Sequence, residues 1–236
     1  MKTIGLIGGM SWESTAVYYR HLNQEVRRLR GGLASAEIAM RSLDFSEVVA
    51  LQKAGRWDLA GALLGKAGAG LAMAGADCIL ICTNTMHLVA EPVATMASVP
   101  LIDIITETAR ALRADGRTRP LLLATRYTME HGFYTDRMKA LGLDVIVPDQ
   151  AGRQVVHDVI FNELCQGQVR GEARVAYCDI IARAKAQGAD SVILGCTEIG
   201  LLLEADALAL PGYDSTTIHA DAAIRFALGD SAAQAA

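Results

Sequence analysis

The chain has 236 residues, 52 % of them hydrophobic and 20 % charged, with a formal net charge of −4. That length fits one large domain or two of about 110 residues, and the charge balance, with no basic run longer than Arg27 and Arg28, excludes nucleic acid and anionic membrane as expected partners. No apolar run approaches a membrane span. The five cysteines, at 78, 82, 165, 178 and 196, are odd in number and lack CxxC or histidine-rich metal spacing, so free thiols, no metal and a reducing cytoplasm are expected. The first residues run directly into a strand, without the pattern of a signal peptide.

In chain order, residues 2–7 read as a buried strand broken by Gly8 and Gly9, after which Ser11 caps a helix over 12–29. Residues 36–43 read as a second strand, 56–74 as an alanine-rich helix, and 78–81 as a third strand, with a helix after the CTNT loop. A fourth apolar run covers 99–102 and leads into a helical stretch to Arg113. From Pro120 the pattern starts again: a strand at 121–124, a helix at 129–141, a strand at 144–147, two helices within 150–187 split near Gly167 and Gly171, and a strand at 191–194. The segment 229–236 reads as a frayed tail.

The chain also says nearly the same thing twice. Residues 75–85 are GADCILICTNT and residues 188–198 are GADSVILGCTE, which places Thr83 opposite Cys196, 113 residues further on. Pro100, Leu101, Ile102 and Asp103 are echoed by Pro211, Gly212, Tyr213 and Asp214, each group opening a helix. Strands alternating with helices predict parallel sheets with right-handed crossovers. The expected fold class is therefore α/β, as two pseudo-symmetric αβα lobes, each with a small parallel sheet and with the active site in the cleft between them. Residues 1–98 with 209–236 form the first lobe and 99–208 the second.

A buried parallel strand delivers its following loop at the carboxyl edge of the sheet, where ligands bind. Cys196 sits at such an edge, and amides of a following helix would lower its thiol pKa; a buried cysteine acting as a small hydrophobe is the competing reading. Alternation along the strand lets only one of Cys82 and Thr83 reach the cleft. The repeat picks Thr83, and leaves Cys82 and Cys78 as packing residues. Asn84, Thr85 and Thr197 offer amide, hydroxyl and backbone donors suited to a carboxylate, although turn and cap chemistry explains the same residue types. Glu198 is read as a cap or as a partner for a substrate ammonium. The GLIGGMS turn lacks the GxGxxG spacing of a dinucleotide site. Thr125 and Thr128 occupy the corresponding turn of the second half and are expected to face Met10 and Ser11. His87, His131, His157 and His219 read as helix-surface or capping residues, and no pair has ligand spacing.

These motifs, GLIGGMS, SWEST, CTNTMH, LLATRYTM and GCTEIGLL, resemble the aspartate/glutamate racemase family over about residues 2–228, and its aspartate/glutamate-specific or broad-specificity bacterial branch. The resemblance implies a cofactor-independent isomerase, a dimer, in which two cysteines flank the α-carbon of an amino acid, one thiolate removing its proton while the other thiol returns one. Cys196 matches the second cysteine. The first is replaced by Thr83, since the family's CNT is here TNT. A thiol titrates near 8.5 and an alkyl hydroxyl near the value of water, a gap of roughly 9 to 10 kcal/mol, so Thr83 cannot serve as a comparable base, though it can donate or relay a proton. The resemblance thus implies abstraction by Cys196, reprotonation from the Thr83 side, and preferential conversion of L to D. It also implies that Asn84, Thr85 and Thr197 hold the α-carboxylate, that Met10, Thr125 and Thr128 line the pocket, and that Gln52 lies near the substrate side chain. Cys165 stands where many aspartate racemases carry a lysine, and an arginine expected after the second strand is missing from SLDFSEV, which leaves a broader amino-acid specificity open. Arg41 and Arg126 are the candidate replacements. Two other readings stay open: a one-cysteine decarboxylase or isomerase of the same superfamily, and a non-catalytic amino-acid-binding protein.

Overall fold

A computed structural model of the chain describes residues 1–229; apart from Gly229, the segment read as a frayed tail lies outside the described residues. The chain divides into two compact units, Met1–Asp103 together with the segment from His219, and Ile104–Ile218. The expected lobe boundaries shift accordingly. Residues 99–103 go with the first unit because Leu101 bridges Ile79, and residues 209–218 go with the second because their strand pairs inside its sheet.

In the first unit, β1 (Ile4–Gly8) leads into α1 (Trp12–Arg30), β2 (Ile38–Ser42), α2 (Phe45–Lys53), α3 (Trp57–Met73) and β3 (Cys78–Ile81). A 3-10 turn, Thr85–Val89, and α4 (Ala90–Ala97) follow. The sheet order is β2-β1-β3, all parallel. Side chains alternate between its faces as period-2 geometry requires: Ile4, Leu6, Cys78, Leu80 and Cys82 pack in a core with Tyr18, Leu22 and Val26 of α1, while Ile7, Ile79 and Ile81 pack in another with Leu64, Ala67 and Leu71 of α3.

The second unit runs α5 (Ile104–Ala114), β4 (Pro120–Leu123), α6 (Arg126–Glu130), α7 (Phe133–Ala140) and α8 (Gln150–Asn162). A 3-10 turn at Leu164–Gln166 precedes α9 (Gly171–Ala186), β5 (Ser191–Leu194), α10 (Ile199–Leu202), a 3-10 turn at Ala205–Ala207 and β6 (Gly212–Asp214). Then α11 (Ser215–Leu228) begins, and the unit boundary falls within it. The sheet order is β4-β5-β6, again all parallel.

The predicted α/β duplication is therefore present to the residue. Cys78 and Ser191 open β3 and β5 and pair with Ile4 and Pro120. Gly75 and Gly188 take the same positive φ, 93° and 92°. The Asp77 carboxylate accepts from the Thr3 amide at 2.6 Å and that of Asp190 from the Arg119 amide at 2.9 Å, clamping equivalent strand starts.

Several predicted elements differ. The expected helix at 129–141 is two helices, because Gly132 adopts φ 78° between them. The expected strand at 144–147 reduces to a single parallel bridge, Ile146 to Leu121, and the apolar run at 99–102 likewise forms one, Leu101 to Ile79. The helix α2 was not predicted at all; Asp44 starts it by accepting a hydrogen bond from the Ser46 amide at 2.9 Å. Among the described residues no helix is long and apolar enough to cross a membrane.

The turn after β1 is held tightly. The Thr15 hydroxyl accepts from the Gly9 amide at 2.8 Å and donates to the Ser11 carbonyl at 3.0 Å. Gly9 has φ 85°, and a β-carbon there would lie 2.2 Å from the Leu43 carbonyl oxygen. Gly9→Ala is expected to cost about 2 to 4 kcal/mol, from strain plus a backbone clash. Gly55→Ala, at φ 66° in open space, is expected to cost about 1 kcal/mol. Urea unfolding of the two variants checks the difference.

Candidate active site

Each unit carries one of the repeated loops at the carboxyl end of a strand, β3 in the first and β5 in the second. In the first, the Cys82 amide donates to the Ile7 carbonyl at 3.0 Å, and in the second the Gly195 amide donates to the Leu123 carbonyl at 2.8 Å. The next residues are Thr83 and Cys196. Cys82 is fully buried in the α1-facing core, and burial raises its thiol pKa. Cys78 is likewise buried, its thiol pushed up to about 12 by burial. Both are packing residues, as alternation predicted.

Thr83 is half-buried, and Asn84 and Thr85 behind it are buried. Gln52, buried on α2, donates its amide to the Met86 sulfur at 3.1 Å, which ties α2 to the Thr83 loop. Met10 is 4 % exposed and shares an apolar cluster with Met86 and Val48. Gln52 thus touches the turn that follows Thr83, and Met10 shares the apolar cluster of that turn's Met86.

His87 and His219 depart from expectation. They are not surface or capping residues; they are 2 % and 0 % exposed. The ring of His87 bonds through Nδ1 to the Thr83 carbonyl at 2.8 Å, and a carbonyl only accepts, so Nδ1 carries the proton. His219 bonds through Nε2 to the Ile102 carbonyl at 2.7 Å, so Nε2 carries its proton and Nδ1 accepts from the Tyr18 hydroxyl at 2.8 Å. The two rings meet edge to face, 5.6 Å between centroids. The only available sequence signal was the fourth-residue spacing of His87 after Thr83.

In the second unit, Cys196 is half-buried and Thr197 and Glu198 are buried. The Cys196 thiol donates to Glu198 Oε2 at 3.0 Å, and the Thr197 hydroxyl donates to the same oxygen. The expected depression of the thiol pKa is overturned: burial first, then the Glu198 carboxylate, then Cys165, hold it well above the ordinary value. The favourable amide contribution is present but smaller, since α10 spans four residues. Glu198 was read from sequence as a cap or ammonium partner, whereas here it is the thiol's acceptor. Cys165 lies in the 3-10 turn that packs against α10, and both it and Cys196 border the same apolar core. Thr125 is the N-cap of α6, its hydroxyl 3.2 Å from that of Thr128. Arg126 and Arg41 are both exposed.

Fold and register first define a class, that of duplicated α/β proteins with two small parallel three-stranded sheets. The chain belongs to the Asp/Glu/Hydantoin racemase family, whose model matches residues 7–223; it is a family of racemases, which are isomerases. It is similar to a Yersinia pestis protein provisionally assigned to the Asp/Glu racemases, with 46 % identity and a TM-score of 0.90, covering 97 % of this chain and 100 % of that one. An aspartate racemase homologue from Pyrococcus horikoshii shows 32 % identity and a TM-score of 0.84 over the same shares. The broad-specificity amino-acid racemase RacX of Bacillus subtilis is 25 % identical over 150 residues, 64 % of each chain.

Two outcomes follow from the buried groups. Burial holds His219 near pKa 3, with His87 adding to the depression and Asp103 opposing it, so the unfolded chain binds a proton that the folded one refuses. The contribution of neutral His219 is complete above its ordinary value near 6.5 and is lost as pH falls toward 3, at up to about 1.36 kcal/mol per pH unit. Urea midpoints between pH 7 and 4 should therefore fall more steeply for the wild type than for His219→Gln. At the other loop, Glu198→Gln removes the anion facing the thiol and should move the Cys196 pKa downward, read as the pH dependence of alkylation at Cys196 by mass spectrometry.

Proposed function

We propose that the protein is a cofactor-independent amino-acid racemase in which Cys196 takes the α-proton of the L-amino acid and the Thr83 side returns a proton to the opposite face. The observation that carries this reading is that two loops in matching register put a hydroxyl and a thiol at equivalent positions, Thr83 after β3 and Cys196 after β5. The thiol, hydrogen-bonded to Glu198 Oε2 at rest, loses its proton to solvent when substrate binds, and the thiolate left behind takes the α-proton and becomes a thiol again. A substrate ammonium beside Glu198 would offset the charge that otherwise holds Cys196 protonated. The carbanion takes a proton from the Thr83 hydroxyl or from a water beside it, an easy donation to so strong a base, and the oxygen left behind recovers its proton from solvent. Asn84, Thr85 and Thr197 hold the α-carboxylate, with Met10, Thr125, Thr128 and Gln52 about the rest of the substrate. The substrate is aspartate, glutamate or a wider amino-acid set, and the free thiols suit a cytoplasmic enzyme, working as a homodimer.

A second reading rests on the raised thiol pKa of Cys196. A thiol kept protonated is ready to donate, as a one-cysteine decarboxylase or isomerase would require. Carbon dioxide release from substituted malonates favours that reading, and α-proton exchange into amino acids in D₂O favours racemisation. Exchange into none of the common amino acids would leave a binding protein.

L and D forms have equal free energy, so kcat/KM is the same in both directions and the asymmetry must appear in kcat with KM scaled alongside. The expected result is a higher kcat from L than from D, a loss of at least about 10³-fold in Cys196→Ala, and a rise of kcat from D in Thr83→Cys. Equal kcat values in the wild type, or full activity of Cys196→Ala, would sink the assignment.

A further inference from the structure

The buried histidine cluster lies directly behind the loop that carries Thr83, and the proton transfers proposed above use none of it. Tyr18 on α1, His87 in the turn after β3 and His219 on α11 all belong to the first unit and are all closed to solvent. Burying two imidazoles and a phenol is costly unless each polar atom is partnered. Here the partners form two separate arms with fixed donor sense: the Tyr18 hydroxyl donates to His219 Nδ1 and His219 Nε2–H to the Ile102 carbonyl, while His87 Nδ1–H donates to the Thr83 carbonyl. Tyr18 and His219 also pack edge to face, 5.6 Å between centroids, with His87 against the other side of His219 at the same spacing.

The His87 bond ends on the peptide carbonyl of Thr83 itself. The Thr83 amide is meanwhile tied to the Ile81 carbonyl at 2.8 Å, and the His87 amide to the Asn84 carbonyl at 3.0 Å. With both backbone polar groups of Thr83 held, the rotation left to aim its hydroxyl is χ1. A hydroxyl that must meet a carbanion within hydrogen-bond reach gains from such holding, because a displacement of about 1 Å can cost on the order of 10²-fold in rate.

We propose that His87 is a positioning residue for the Thr83 arm: its Nδ1–H fixes the Thr83 carbonyl and so the proton-returning hydroxyl, and the His219 ring, itself held by Tyr18 and the Ile102 carbonyl, packs edge to face against the His87 ring and holds it in place. The proposal rests on the racemase reading above for its kinetic consequence, but not for its geometry.

The test compares two signals in D₂O from an L-amino acid substrate: deuterium washed into recovered L substrate, which needs only the Cys196 side, and formation of D product, which needs both sides. Loss of aim on the Thr83 side lowers the second while sparing the first. In His87→Phe, which keeps a ring but has no donor, the ratio of deuterated L substrate to D product should rise at least about tenfold over wild type, and His87→Asn, which keeps a donor near Nδ1, should restore it. Equal loss of both signals in a folded His87→Phe, with the ratio unchanged, overturns the proposal. If His87→Phe does not fold, Tyr18→Phe carries the same expectation in smaller measure, and an unchanged ratio there counts equally against it. Nitrogen-15 spectra of the wild-type histidines give a readout free of turnover: His87 should be protonated at Nδ1 and His219 at Nε2, and the opposite tautomer at His87 overturns the proposal whatever the activity. A wild type with correct tautomers but no α-proton exchange would instead refute the racemase reading.

Discussion

Everything in this molecule hangs on parallel pairing between short apolar strands that leave no room at their crossing points. A β-carbon on Gly5 would lie 2.9 Å from the Cys78 carbonyl oxygen, and one on Gly195 would lie 2.8 Å from Leu122 Cδ1 and 3.1 Å from the Leu123 carbonyl oxygen. Close approach of this kind fixes which residue faces which, because a slip of one residue would turn every side chain to the wrong face of the sheet. With register fixed, the loop after each strand starts at a defined residue. The fully buried runs Cys78–Ile81 and Ser191–Leu194 thus determine where Thr83 and Cys196 emerge.

The same constraint explains why Cys82 and its neighbour Thr83 end up in different surroundings. The Cys82 side chain alternates with Ile81 and joins Cys78 and Leu80 in the core under α1, where the charged form of a thiol finds no solvation. One residue of sequence separates Cys82 from Thr83, but the pleat puts them in different chemistry. A nearby thiol is no substitute for one at the right phase of the strand.

Much of this was legible in the sequence because the signals were redundant: a strand pattern, a repeat with the same phase, and turn residues at equivalent places, Gly75 and Gly188 among them. Where a signal was single it failed. The run SLDFSEV shows only the start of α2, and its decisive feature, the Asp44 cap, is one side chain among several polar ones. Gly132 breaks a helix through a positive φ that composition alone does not reveal. The paired runs at 99–102 and 144–147 have strand character, yet one bridge each is all their neighbours offer. His87 and His219 looked like surface residues because histidine burial is decided by partners distant in sequence, here Tyr18 and Ile102, 201 and 117 residues away from His219.

The misjudged charge state of Cys196 has a more instructive cause. A cysteine at the start of a helix suggests a stabilised thiolate, but that inference counts the amides and omits what else the turn holds. Glu198, two residues on, is buried and already engaged by the thiol and by the Thr197 hydroxyl through one oxygen. Burial of the thiol contributes most and the Glu198 carboxylate adds to it, and together they outweigh the partial charges of a four-residue helix, so the resting thiol keeps its proton. A protonated thiol is less open to alkylation and oxidation than a thiolate. A cation brought beside Glu198 would offset that carboxylate's charge and lower the cost of a second negative charge on sulfur.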